Sequence, residues 1–439
     1  MGSYVVSTRE EQEQMLKYVG LCDMGELFSV IPEEVRLKGE LNLPSGCGEM
    51  EVVCRMEALA EANIRFRHIF RGAGAYHHYI PAAVSRIVQK EEFLTAYTPY
   101  QAEISQGILQ SIFEYQTMIC DLTGMDVSNA SVYDGASAAA EAAAMCRDRK
   151  RNKIVVSASS NPEVIRTIQT YCFGNGAEVE IVPEKSGITD LGALEEAITP
   201  EVCCFYVQQP NFYGILENYG DIEAIVHKSG AMLVMGCNPL ALAVLKTPGE
   251  LGADIAVGDG QPLGMPLGFG GPYQGFMTAR SAHVRKLPGR IVGETTDENG
   301  KRAFVLTLQA REQHIRREKA GSNICSNQAL CTLRAAVYMA VMGGRGMKEA
   351  AEQCTAKAHY LQQELDKIGY KLKYQQPFFH EFVTSTPVPA EKALKHLERH
   401  GYLGGLPLSD REILWCTTEM NTRTEMDELA AILKGVQKG

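Results

Sequence analysis

The chain has 439 residues and a formal net charge of −10, long enough for two or three structural units. Hydrophobic residues make up 45%, which excludes wholesale disorder. The acidic balance argues against nucleic acid as a partner, because phosphate binding needs a basic surface.

The first segment, 1–70, reads as a helical arm. Residues 10–21 have helical character, and Ile31-Pro32-Glu33-Glu34-Val35 looks like a short helix started by proline. Residues 49–70 are rich in Glu, Met, Ala and Arg, with apolar residues three and four apart, and predict a long helix. No apolar leader opens the chain and no run of about eighteen apolar residues occurs, so neither secretion nor a membrane span is expected. A cytoplasmic setting is the expectation. The 13 cysteines include no Cys-x-x-Cys pair and read as reduced core residues.

From 71 to 320 the pattern is α/β. Apolar, β-branched runs at 153–157, 179–182, 202–207, 231–235 and 254–257 alternate with helix-length segments at 162–171, 191–198 and 220–227. Such alternation predicts a mostly parallel sheet covered by helices. Residues 275–279 form a further candidate strand. From 321 to 439 the character changes to a smaller α+β unit. It has helices at 327–342 and 347–368 separated by Gly343-Gly344-Arg345-Gly346, strands at 379–384 and 413–417, a helix after Pro389 and a last one from Thr424.

Four stretches could carry chemistry. Gly135-Ala136-Ser137 opens an alanine-rich helix, where Ser137 can cap the end and free N–H groups suit an anion. The other reading is a capped structural helix. Tyr97, Thr98, Tyr100, Gln101 and Ser105 form an aromatic, hydrogen-bonding loop of the kind that lines pockets or meets partners. His77-His78 lacks a completing ligand set, and no metal is expected. The run Arg311 to Lys319, followed by Ser322-Asn323, is either a solvated charged face or a holder of an anion or partner.

Taken together, long motifs over nearly the whole chain resemble the glycine cleavage system P-protein family, decarboxylating glycine dehydrogenases, in the first (alpha) chain of its split form. They are Tyr97-Thr98-Pro99-Tyr100-Gln101, Tyr115-Gln116-Thr117-Met118 with Asp121-Leu122-Thr123-Gly124, Gly249 to Asp254, Phe269-Gly270-Gly271-Pro272, Pro288 to Thr295, and Leu306 to Arg311 running on to Asn323. His77 and Gly321 depart from the pattern, where an acidic residue and a threonine would be expected.

The resemblance implies a fold-type-I pyridoxal-phosphate transferase-like large domain (71–320) with a smaller α+β domain (321–439). In that fold a lysine after the 254–257 strand holds the cofactor by a Schiff base. Here no lysine lies between Lys246 and Lys286, and the matching position is Gln261. An aspartate that would pair with the cofactor's ring nitrogen is matched by Met235. The resemblance therefore implies that pyridoxal phosphate sits on a second, beta subunit in an α2β2 assembly. The pair decarboxylates glycine and passes the aminomethyl group to the lipoyl arm of an H-protein. The aromatic, hydrogen-bonding character of the loop adds the expectation that this chain lines the shared site non-covalently through Tyr97, Thr98, Tyr100, Gln101 and Ser105. The alternatives are an autonomous aminotransferase- or lyase-like enzyme and a purely structural subunit.

Overall fold

The computed structural model describes residues 6–94, 98–268 and 270–436. It divides into two compact units, within Met1–Ile64 and Arg65–Gly439. The first contains helices α1 (Arg9–Tyr18) and α2 (Glu49–Glu61). A reciprocal capping box between Thr8 and Glu11 starts α1. Helix α2 is shorter than its composition suggested. It stops at Glu61, where the Asn63 amide closes the carbonyls of Leu59 and Ala60 at 3.1 and 3.2 Å. His68–Ile69 instead pairs with Tyr402–Leu403 in a short parallel ladder.

The second unit is built on a seven-stranded sheet. Its strands are β1 (Val127–Ser128), β2 (Lys153–Ser157), β3 (Glu178–Val182), β4 (Val202–Gln209), β5 (Met232–Cys237), β6 (Ile255–Asp259) and β7 (Gly275–Ala279). They lie in the order β1-β7-β6-β5-β4-β2-β3. Strands β2 to β6 are parallel to one another, and β7 runs antiparallel to both β6 and β1. The central strand β4 is buried almost throughout, which is why it reads as an unbroken apolar run.

Helices α3 (Ala82–Val88), α4 (Gln106–Thr123), α5 (Gly135–Cys146), α6 (Pro162–Asn175), α7 (Leu191–Ala197) and α8 (Tyr219–Lys228) surround the sheet. Helix α6 has proline in its first turn, an Asn161 cap, and Gly176 at φ 64° after its end. One core lies where α5 and α6 pack on Ile154, Val156, Cys204, Val234 and Val257. A second lies on the opposite face and joins Val155, Phe205, Val207, Leu233 and Met235 to α7 and α8. This is period-two alternation along buried strands.

A hairpin follows, β8 (Ile291–Thr296) and β9 (Arg302–Thr307), which the sequence reading did not anticipate. Phe304 and Leu306 alternate inward beside Ile112 and Leu109. Helix α9 (Ala329–Lys367) carries the expected interruption at Gly343, whose φ of 60° and ψ of 174° are not helical. Beyond it, β10 (Glu381–Ser385), β11 (Leu406–Ser409) and β12 (Glu412–Cys416) form a three-stranded antiparallel sheet. Helices α10 (Ala390–Arg399) and α11 (Arg423–Val436) pack on it around Trp415, which is fully buried.

Candidate functional site

A cavity of about 470 Å3 opens where α5 begins and β5 and β6 end. This is the position at which parallel α/β sheets hold ligands. Asp134, rather than Ser137, caps α5: its carboxylate accepts the Ser137 N–H at 2.7 Å. The Gly135 N–H is taken by a second carboxylate, Asp259 of β6, at 3.0 Å. Asp259 also accepts the Gln261 N–H at 2.8 Å. A Cβ at residue 135 would lie 2.8 Å from the Asp259 nitrogen, so only glycine lets helix and strand come this close. Burial pushes the Asp259 carboxyl up to about 7, and the two N–H donors moderate that rise. The expected anion site at Gly135 and Ser137 is thus filled from within, and the capped-helix alternative describes these hydrogen bonds.

Gln261 is equally closed off. It is 1% exposed. Its Oε1 accepts the Tyr76 N–H at 2.8 Å, and its Nε2 donates to the carbonyls of Tyr76 (2.8 Å) and Met265 (2.9 Å). The Tyr76 side chain is held in turn by Glu381, which accepts its hydroxyl at 2.9 Å and the Ala73 N–H at 2.6 Å. Burial raises the Glu381 carboxyl to about 7 despite these donors. The 72–76 segment reaches this position through Ala73 and Gly74, both at positive φ. Met235 does not reach the cavity; it is fully buried in the core against α7 and α8. On the cavity side of β5, a Cβ at Gly236 would meet the Tyr206 hydroxyl at 2.2 Å, so that hydroxyl occupies the adjoining space.

The aromatic loop has a different character. Tyr97 lies outside the described residues. Thr98 is half-buried and Gln101 is exposed, whereas Ser105 is buried at 8% exposure ahead of α4. Tyr100 is 47% exposed. Its hydroxyl accepts from Arg290 Nη2 at 2.8 Å, and the guanidinium also sits 4.9 Å from the ring centroid. The His314 ring is 5.9 Å away. Arg290 is itself buried and donates to the Cys325 carbonyl (2.7 Å) and Asn327 Oδ1 (3.2 Å). Sequence reasoning did not single out Arg290. Its signal was the motif Pro288 to Thr295, which the fold brings against the Tyr100 and His314 motifs.

Beside His78 the fold brings together a cysteine and a carboxylate from distant segments, a grouping that the sequence by itself did not show. His78 Nδ1 lies 2.8 Å from Glu419 Oε2, and the Cys354 thiol donates to the same oxygen at 3.4 Å. Burial opposes the charge on Glu419, but the His78 pairing and the Tyr79 N–H outweigh it and hold the carboxyl down at about 2.

The family model of the glycine cleavage system P-protein matches residues 2–433. The chain belongs to that family. A probable glycine dehydrogenase (decarboxylating) subunit 1 from Moorella thermoacetica is 50% identical over 442 residues, covering 99% of each chain. The protein of that name from Desulfitobacterium hafniense is 49% identical over 439 residues, covering 98% of each. A crystal structure of glycine decarboxylase (P-protein) in inhibitor-bound form superposes with a TM-score of 0.93 at 41% identity, covering 99% of this chain and 100% of that one. A Burkholderia pseudomallei sphingosine-1-phosphate lyase superposes at 0.68 with 12% identity, covering 93% and 95%, and shares the fold alone.

The P-protein fold is that of fold-type-I pyridoxal-phosphate enzymes, and the residues of this chain do not fit that cofactor. The P-protein loop after β6 offers an amide, already bonded to three backbone groups, where an amine is needed. Two carboxylates bind the N–H groups that would face a phosphate.

Proposed function

We propose that this chain is the non-covalent, site-completing subunit of a two-chain P-protein. With its partner subunit it decarboxylates glycine and transfers the aminomethyl group to the lipoyl arm of an H-protein. In this reading pyridoxal phosphate is carried by the partner, the assembly is α2β2, and the work takes place in the cytoplasm. No helix among the described residues is long and apolar enough to cross a membrane. We take 71–320 and 321–439 as the two domains of the fold and 1–70 as an arm. In support, the seven-stranded sheet lies wholly in the first domain and the three-stranded sheet in the second.

One observation carries the reading. The closed interior around Gln261 and Asp259 contrasts with an open, pre-organised surface at Tyr100 and Gln101. Arg290 fixes Tyr100 from below while leaving its ring exposed. A rigid aromatic with a hydrogen-bonding tip suits the wall of a site completed across an interface. In this reading Thr98, Tyr100 and Gln101 form that wall, and Tyr97 joins them as the sequence expects. Ser105 is buried ahead of α4, and in this reading it supports the loop from beneath.

The test is co-purification with the second subunit, followed by glycine–bicarbonate exchange. Tyr100→Ala and Gln101→Ala are expected to leave assembly intact and lower exchange by about tenfold or more, as loss of a positioning contact does. Undiminished exchange in an assembled complex would refute the site-completing role and leave a purely structural one. A borohydride-trapped lysine adduct on the isolated chain would instead favour an autonomous enzyme.

A further inference from the structure

A second cavity, of about 260 Å3, shares no lining residue with the first. It lies beside the later half of α5. Six cations line it: Arg147, Arg285, Lys286, Arg311, Arg316 and Lys319. Two carboxylates, Glu141 and Glu312, oppose them. Six minus two gives +4 around one small concavity, on a chain whose net charge is −10. Cations grouped against the sign of the whole molecule focus anions locally.

Arg147 is held by the fold, donating to Asn152 Oδ1 at 2.6 Å and the Asn175 carbonyl at 3.0 Å, but four of the other cations are not consumed in this way. Among the described residues, Arg285, Arg316 and Lys319 form no side-chain hydrogen bond or ion pair, and all three are exposed. Lys286 has only a longer-range interaction with Asp148. Elsewhere, exposed cations such as Lys395 and Lys348 are paired with Glu391 and Glu352. Arg311 is more telling. Its two terminal nitrogens donate to the carbonyls of Leu287 and Gly289, while its Nε is buried with no acceptor. A buried cationic donor without an acceptor is costly, and an anion oxygen relieves it.

One of the two opposing carboxylates is weakened by burial, and the other stays in play. Glu141 is buried, and burial raises its carboxyl to about 7 against the pull of Ser322. Near neutrality it carries less than a full charge. Glu312 lies 3.7 Å from His314 through Oε2, while its Oε1 is buried without a partner and its charge acts on Arg311, so it offsets one of the cations. The carboxyl end of the α5 dipole also disfavours an anion, but it amounts to only about half a charge.

We propose that this cavity is a binding site for a small phosphate-type polyanion, held by Arg285, Arg316, Lys286 and Lys319 with the Arg311 Nε as a buried donor. The free cations exceed what a single carboxylate neutralises, and guanidinium forks match phosphate oxygens two at a time. The concave shape and the buried floor favour a small ligand over a protein surface. The site is independent of how the shared catalytic site is read.

The experiment is isothermal titration of the full-length chain with inorganic pyrophosphate at low salt. One saturable site per chain is expected, weakening as salt is added. Arg285→Gln with Arg316→Gln is expected to weaken binding by about tenfold for each guanidinium lost. Lys348→Gln with Lys395→Gln, equal in charge but remote, is expected to leave the affinity unchanged. Lys319→Gln alone is a milder variant should the double variant lose its circular dichroism. Absence of saturable binding, or equal weakening by the remote pair, overturns the proposal. So does saturation by an acidic protein that pyrophosphate cannot displace.

Discussion

Replacing Gln261 by leucine removes the amide while keeping the volume of the side chain. Three hydrogen bonds disappear together, but their loss is unequal. The Tyr76 carbonyl keeps the His78 N–H at 3.1 Å. The Tyr76 N–H and the Met265 carbonyl lose the partner that Gln261 supplied. Each buried orphan costs roughly 1–3 kcal/mol, so with two of them Gln261→Leu is expected to lose about 2–6 kcal/mol. Glutamate at this position restores an acceptor for Tyr76 N–H but sets a carboxylate oxygen against two carbonyls, so Gln261→Glu should be no better. Hydrogen exchange at Tyr76 reads the clip directly. A local loss of about 3 kcal/mol accelerates that amide by about 100-fold, with strands β4 and β5 little changed. If Tyr76 exchanges within about threefold of the parent and the urea midpoint does not move, the amide is not a clip and the reasoning fails.

Restoring the lysine alone should not restore the cofactor. Gln261→Lys is expected to show no aldimine absorbance with added pyridoxal phosphate, because Asp134 and Asp259 still occupy the helix end; a band in the single variant would contradict this. Asp259 binds protons more tightly folded than unfolded, so its contribution to stability falls as pH rises from about 4 to about 7. Asp259→Asn should flatten that part of the profile by up to roughly 4 kcal/mol, read as the difference between urea midpoints at the two ends. Glu419 has the opposite sign. Its carboxyl is held at about 2, so its stabilisation is present above the ordinary carboxylate range and is lost as pH falls towards 2. Glu419→Gln should cost at most roughly 3 kcal/mol near neutrality and nothing at the acid end. An equal cost at both ends would show that the His78–Glu419 pair is not responsible.

The sequence by itself determined the α/β order, the position of six of the seven strands of the large sheet, the break at Gly343 and the missing lysine. These are local properties. A buried parallel strand is an apolar run, a helix is punctuated by its cap and its glycine, and an amide at 261 is an amide in any fold. Tertiary structure decided what those residues face. Asp259 reads only as the end of a strand until the sheet carries it to the first N–H of α5, 124 positions away in sequence. Gln261 reads as a loss until the 72–76 segment crosses it and turns it into a three-bonded clip. Met235 matched a cofactor residue in sequence, yet the period-two alternation of β5 sends it into the opposite core. Arg290 was unremarked because its role is to join segments that the chain itself keeps far apart. Identity and local periodicity are written along the chain, whereas hydrogen-bond partners and burial arise only where distant segments meet.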